Sequence, residues 1–225
     1  MLAELEQLDR SDEQLGVLDA RIREQHQELA QLASQLSIKR RESAKRMVKV
    51  VRQELEDLKM GQTVFEVEVT ASSDPTAFGP DGIDTVEFRL SANAGEPTRP
   101  LTKIASGGEL SRVMLALKTV LADRDRVPIL IFDEIDTGVG GAVAAAIGKR
   151  LRALGRYHQV FCITHLPQVA AQGQYHVCVE KSQGAGRTVT TVKRLTGMGR
   201  ENEIARMLGG LTVTKKVRET AAELI

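Results

Sequence analysis

The chain has 225 residues, enough for one globular domain of ordinary size with an extension. Its formal net charge is +1, so no overall basic field marks a nucleic-acid binder and any such contact has to be local. Tryptophan is absent and aromatic residues make up 3%, which argues against a base-stacking platform for single strands. No apolar run approaches the ~18 residues of a membrane span, and no signal-peptide core opens the chain, so a soluble, cytoplasmic protein without a membrane partner is expected. Cys162 and Cys178 lie in apolar, strand-like runs and read as buried, reduced thiols.

From Leu15 onward, apolar residues fall at Leu18, Ile22, Leu29, Leu32 and Leu36, with Gln25 filling the missing slot. Alternating steps of three and four make a heptad seam. No proline precedes Pro75, so the pattern predicts one helix of about 45 residues. Continuing the heptad would put Lys39, Ser43 and Arg46 in the seam. A shift of four residues restores it as Ala44, Met47, Val51, Leu55 and Leu58, which is a stutter that locally unwinds a supercoil. The helix should end near Lys59, with Gly61 as its stop. So narrow a seam needs a partner helix, either an opposite arm encoded upstream or a second copy of itself. Residues 1–60 are therefore expected to form a coiled-coil arm and 61–225 a globular lobe.

Seven cations, Lys39, Arg40, Arg41, Lys45, Arg46, Lys49 and Arg52, crowd the second half of that helix. They read either as a solvated face with pairs to Glu42 and Glu54, or as a local patch for phosphate contacts.

The lobe begins near Gln62. Phe65, Val67 and Val69 alternate with Glu66, Glu68 and Thr70, and Val86, Phe88 and Leu90 repeat the pattern, predicting two half-buried antiparallel strands around the turn-rich segment 71–84. A loop from Ser91 to Lys103 then delivers Ser106-Gly107-Gly108-Glu109. A helix over about Gly108–Ala122 follows, its apolar stripe made by Leu110, Val113, Met114, Leu117 and Leu121. A glycine turn entering a helix N-terminus presents free N–H groups and a dipole to an anion, with Ser106 as the alternative, purely structural N-cap. The run Val127–Phe132 predicts a central, buried parallel strand with Asp133 and Glu134 at its C-terminal end, where ligands sit in open α/β sheets. The first carboxylate suits the water shell of a metal ion and the second a base acting on an attacking water. Asp136 and three glycines lead into a helix of small residues, Ala142–Leu154, and the strand Gln159–Ile163 ends in Thr164-His165. His26, His158 and His176 read as surface or packing residues. A hairpin of 175–181 with 187–194, and closing helices near 200–208 and 213–224, complete the lobe, with Glu201, Glu203, Arg206, Arg218 and Glu219 on solvated faces.

The motifs carry a resemblance. Ser-Gly-Gly-Glu resembles the signature loop of ABC-type ATPases, Ile-Leu-Ile-Phe-Asp-Glu their Walker B strand, Asp136 the D-loop residue and His165 the switch histidine. The fuller wording, Ala-Ser-Gly-Gly-Glu-Leu-Ser-Arg, Phe-Asp-Glu-Ile-Asp-Thr-Gly and Thr-His-Leu-Pro-Gln-Val-Ala, resembles the RecN family of bacterial DNA repair proteins, relatives of the SMC proteins. The resemblance implies an α/β fold: the C-terminal lobe of an ABC/SMC-type ATPase head with a long N-terminal coiled-coil helix. It further implies ATP and Mg²⁺ as cofactors, with Ser106, Gly107, Gly108, Glu109 and Asp136 meeting ATP in trans. Asp133 would hold Mg²⁺ through water, with Glu134 and His165 catalytic. Implied partners are the N-terminal head lobe and opposite arm of the same protein, a second copy joined through the heads, and double-stranded DNA with its ends, in the bacterial cytoplasm at the nucleoid. Ala105 and Glu109 replace the Leu and Gln of transporter signatures, which fits the repair branch.

The chain holds no Gly-x-x-x-x-Gly-Lys-Ser/Thr, so a phosphate-cradling Walker A has to come from elsewhere. Alone, the chain is expected to be inactive and to be the C-terminal part of a longer protein. Two alternatives stay open: the head lobe of a nuclease-coupled SMC-like ATPase of the SbcC type, and a non-catalytic dimerisation scaffold.

Overall fold

A computed structural model describes residues 2–72, 74, 78–93, 95–103, 106–184, 187–210 and 212–225. Two compact units divide the chain, Met1–Lys49 with Phe65–Arg89, and Val50–Val64 with Leu90–Ile225. The fold is mixed α/β with a long N-terminal helix.

Helix α1 (Leu2–Asp57) runs for 56 residues, longer than the periodicity predicts. The positions that begin the heptad, Leu18, Ile22, Leu29, Leu32 and Leu36, are all exposed, whereas Ala33, Ser37, Ala44, Val51, Leu55 and Leu58 are buried. The second register thus starts at Ala33 rather than Ala44. The physical reason is the small size of Ala33 and Ser37, and the hydroxyl of Ser37 donates to Asp84 at 2.7 Å. The end of α1 corrects the Gly61 stop. Lys59 itself takes the left-handed conformation, with φ of 58°. The amide of Met60 donates to Leu55 O at 2.8 Å and that of Lys59 to Glu56 O at 3.0 Å, a Schellman closure with buried Leu55 and Met60 as its apolar pair.

In the first unit, β1 (Val64–Ala71) and β2 (Asp84–Ser91) are neighbours in one sheet. β1 follows the expected alternation, and the rings of Phe65 and Phe88 lie 5.8 Å apart. β2 follows it less well. Val86 is exposed while Arg89 is half-buried, held between Glu68 and Glu87 at 3.5 and 2.7 Å. In the second unit, the segment expected as a loop holds a two-residue strand, β3 (Arg99–Pro100), and a 3₁₀ turn (Leu101–Lys103).

Beyond it come α2 (Gly107–Val120), β4 (Ile129–Phe132), α3 (Gly141–Leu154) and β5 (Gln159–Cys162). β4 and β5 pair in parallel with Ile129 opposite Gln159 and Phe132 opposite Cys162, and α3 is the crossover between them. Leu130 and Phe132 are buried, as are Ala144, Ile147, Leu151 and Leu154 of α3. The other side of the strand pair is bare, because Ile129, Ile131, Phe161 and Ile163 are exposed. That corrects the expectation of a central, buried strand, since β4 lies in a two-stranded sheet with one side exposed. α4 (Pro167–Ala170) packs against α3 so closely that a Cβ on Gly148 would lie 3.1 Å from Gln168 O.

β6 (His176–Gly184) and β7 (Arg187–Leu195) form an antiparallel hairpin of nine facing pairs; Ala185 and Gly186 of the expected turn lie outside the described residues. Helices α5 (Gly197–Gly209) and α6 (Lys215–Leu224) close the unit around Ala171, Ile204, Ala205 and Ala221. Glu203 is not on a solvated face. Its side chain is mostly covered, paired with Arg206 at 2.7 Å and approached by the thiol of Cys178 at 3.8 Å. Cys162 and Cys178 are free thiols and only partly buried. His158 is a packing residue, its Nδ1 2.7 Å from Val127 O. No helix among the described residues is long and apolar enough to cross a membrane.

Candidate nucleotide site

The site grows from the end of β4. Past Phe132 the chain leaves the strand, and Asp133 steadies the turn by accepting a hydrogen bond from the amide of Glu134 at 2.9 Å. Glu134 is held at φ of 57°, a left-handed conformation that costs a non-glycine residue roughly 1–2 kcal/mol. The amide of Thr137 donates back to Glu134 O at 3.1 Å and closes the turn. The carboxylates of Asp133 and Glu134 both face solvent, and neither makes an ion pair among the described residues.

The first turn of α2 rests on this bend. The Glu134 carboxylate lies directly against Gly107, where any Cβ would collide with it. A Cβ on Gly108 would come within 3.1 Å of Glu134 O and 3.2 Å of Thr137. At Gly107 the flexible end of Glu134 would have to move aside, whereas at Gly108 a Cβ would press on the backbone of the bend itself. Ser106 is the N-cap residue of α2, as expected, in extended conformation, and its hydroxyl makes no capping hydrogen bond. It stays exposed beside the free amides of the helix start. Glu109 sits half-buried in the first turn, where the helix dipole favours an acid.

Asp136 ties the second strand to the first. It is buried at 3% exposure and accepts from the hydroxyl of Thr164 at 2.5 Å and the amide of His165 at 3.0 Å. His165 Nδ1 lies 3.2 Å from the same carboxylate oxygen, while its side chain stays 72% exposed. Ser106, Gly107, Gly108, Asp133, Glu134, Asp136 and His165 are thereby gathered at the C-terminal edge of the β4–β5 pair, with Asp136 turned inward. The thiol of Cys162, just behind this edge, is pushed up to about 12 by burial and then by the charges of Asp136 and Asp133, so it is no nucleophile at neutral pH.

Two residues not singled out in the sequence bind this edge together. Ser111 donates its hydroxyl to Asp133 O at 2.8 Å, and buried Arg112 donates to Ile135 O at 3.4 Å and Thr137 O at 3.0 Å. A cation inside an otherwise apolar helix face was the signal for Arg112.

The edge suits a nucleotide and its metal. Bare carboxylates and free helix-start amides are complementary to a magnesium phosphate. No cluster of three or more His, Cys, Asp or Glu side chains that could hold a metal occurs among the described residues. Magnesium needs no such cage, because it keeps waters and phosphate oxygens beside one or two carboxylates.

The basic helix segment is not uniform. Arg40 is committed to Asp84 at 3.1 Å, and Asp84 is held below the usual carboxylate range by the Ser37 hydrogen bond, against burial, and then by Arg40 and Arg41. Arg46 donates to Ser43 at 3.0 Å and Arg52 pairs with Glu56 at 3.5 Å. Lys39, Arg41, Lys45 and Lys49 are exposed and make no ion pair among the described residues. Glu54, expected to answer a neighbouring cation on the helix, instead takes Arg150 of α3 at 2.6 Å, and Arg150 also holds Asp57 at 2.6 Å.

No protein-family model matches the chain. The curated protein "DNA repair protein RecN" of Rickettsia felis is 46% identical over 228 residues, covering 97% of this chain and 41% of that protein. The protein of the same name from Treponema pallidum is 49% identical over 193 residues, covering 84% and 34%. That of Vibrio cholerae is 40% identical over 225 residues, covering 100% and 40%. The chain thus spans about two fifths of the length of the curated relatives it matches. Among solved structures, an SMC head domain with a coiled coil and joint from Pyrococcus yayanosii is 18% identical at a TM-score of 0.49, over 70% of this chain and 28% of that one. With relatives at 40–49% identity along nearly its whole length, the chain belongs to the RecN family.

Proposed function

We propose that this chain supplies one half of an ATP-hydrolysing site in an SMC-like machine for DNA double-strand break repair and recombination. The observation that carries the reading is the convergence of the Gly107–Gly108 helix start, the Asp133–Glu134 pair and the Asp136–His165 contact on one sheet edge. The Ser106 hydroxyl and the amides of Gly107 and Gly108 would meet the γ-phosphate of ATP bound to a second head, with Glu109 beside them in the same site. Asp133 orients Mg²⁺ through its water shell. Glu134 accepts the proton of the hydrolytic water, and His165 senses the γ-phosphate. Asp136, turned inward, couples the two heads through the backbone and ring of His165 rather than by touching the partner. When bound, Mg²⁺–ATP supplies the reacting phosphoryl group.

An N-terminal lobe carrying the Walker A completes each site, and the bare apolar face of Ile129, Ile131, Phe161 and Ile163 is where such a lobe would seat. Residues 1–60 serve as one arm of a coiled-coil hairpin, and 61–225 as the C-terminal head lobe. Its working place is the bacterial cytoplasm, on the nucleoid, where head engagement holds or bridges duplex DNA and its ends.

The test is Glu134→Gln in the complete protein. Turnover should fall by ~10²–10⁴-fold while ATP affinity and head dimerisation persist. Hydrolysis at the parental rate removes Glu134 from the mechanism.

A further inference from the structure

Arg112 is buried beneath the turn that carries the carboxylates, and its placement is costly. Its Nε is shut away from solvent with no hydrogen-bond partner, and burial pulls its pKa down, opposed by Glu109. Such a group is retained where its remaining donors do something an apolar side chain cannot. Here Nη1 reaches Ile135 O and Thr137 O, while the adjacent Ser111 takes Asp133 O. Two consecutive residues of α2 thus hold three alternate carbonyls of one turn. Within that turn stands Glu134, at a φ that its own side chain disfavours.

We propose that Arg112, seconded by Ser111, is a positioning residue: it fixes the Glu134 carboxylate and Asp136 relative to the Gly107–Gly108 helix start, so that the phosphate-facing amides and the base move as one body. The inference rests on the ATPase reading above. If each head's helix start faces the nucleotide of its partner while Glu134 faces its own, this bracing links the two sites mechanically. Both carbonyls are held by Nη1, whose place is fixed by the planar, packed guanidinium; lysine also carries several N–H donors, but on a flexible stem that holds the two carbonyls less rigidly.

The experiment uses the complete protein with three variants, Arg112→Lys, Ser111→Ala and Glu134→Gln, reading kcat and KM for ATP together with the melting temperature. A base misplaced by about 1 Å loses ~10²-fold in rate. Arg112→Lys should therefore lower kcat by roughly 10- to 100-fold, with KM within about twofold of the parent and the protein still folded. Ser111→Ala, which removes one exposed hydroxyl and disturbs folding little, should lower kcat by about three- to tenfold, again without moving KM. Should Arg112→Lys not fold, Ser111→Ala decides alone. An unchanged kcat per folded molecule, or a KM rising in step with the fall in kcat, overturns the proposal. No ATP turnover by the complete parental protein sinks the ATPase reading itself, and full-speed Glu134→Gln removes both the base and the positioning role. A dead Glu134→Gln beside full-speed Arg112→Lys and Ser111→Ala sinks only the positioning role.

Discussion

Lys59 and Glu134 are the non-glycine residues with positive φ among those described, and they are there for different reasons. Lys59 ends a helix. Its side chain is exposed and makes no ion pair among the described residues, so the left-handed conformation serves only the Schellman closure. Lys59→Gly should accordingly raise stability by about 0.5–1 kcal/mol, since the relief of ~1–2 kcal/mol of steric cost exceeds the extra freedom of glycine in the unfolded chain. A denaturant midpoint that falls on this substitution would show that the lysine does something more. Glu134 is strained in a different cause. Its conformation lays a carboxylate against Gly107 at the rim of the site, where backbone strain tends to collect. The identity of each residue was plain in the sequence, but its φ was not. Left-handed geometry at Lys59 follows from where Leu55 and Met60 find burial, which is a property of the packed core.

At the scale of elements, α2 and α3 fall close to their predicted bounds because an amphipathic stripe is a local property. The strand β4 was legible as a strand and misread in its burial. An apolar run looks the same whether its second face is covered by the same chain or by another surface. Arg150 shows the same limit. On α3 it looked like any cation, yet it clamps Glu54 and Asp57 in the last turns of α1. Arg150→Glu should cost about 1–2 kcal/mol, and adding Glu54→Arg should recover part of it, a rescue that independent charges would not show. The basic segment of α1 divides likewise. Arg40 belongs to Asp84, so a test of DNA contact belongs to Arg41, Lys45 and Lys49. Reversing those three to Glu in the complete protein should weaken duplex binding and flatten its salt slope by up to about three units, one per lost phosphate contact. Binding that keeps its affinity and slope would leave this patch a solvated face.

At the scale of the whole molecule, the seam of Leu18, Ile22, Leu29 and Leu32 and one face of β4 and β5 are exposed apolar surfaces. On the proposed reading the site is likewise half of one. Its carboxylates and helix start are in place, while the chain has no Walker A to cradle the β-phosphate. The chain by itself should thus release no phosphate from ATP above background, and an N-terminal lobe added in trans should confer turnover that Glu134→Gln abolishes. Steady hydrolysis by the purified chain alone would mean that its own residues hold the triphosphate.

The sequence by itself determined the chemistry available: a glycine turn before a helix, paired carboxylates after an apolar strand, a histidine after the next strand, and a long helix with a seam. These depend on residue type and spacing over a few neighbours, which periodicity and motif record faithfully. Only the tertiary structure decided how the pieces serve one another. It turned Asp136 inward onto Thr164 and His165, placed Arg112 and Ser111 under the turn that carries Glu134, removed Arg40 from the free cations and began the buried register at Ala33. Each of these follows from which group comes within hydrogen-bonding distance of which across tens of residues, and that depends on packing, to which local pattern is blind.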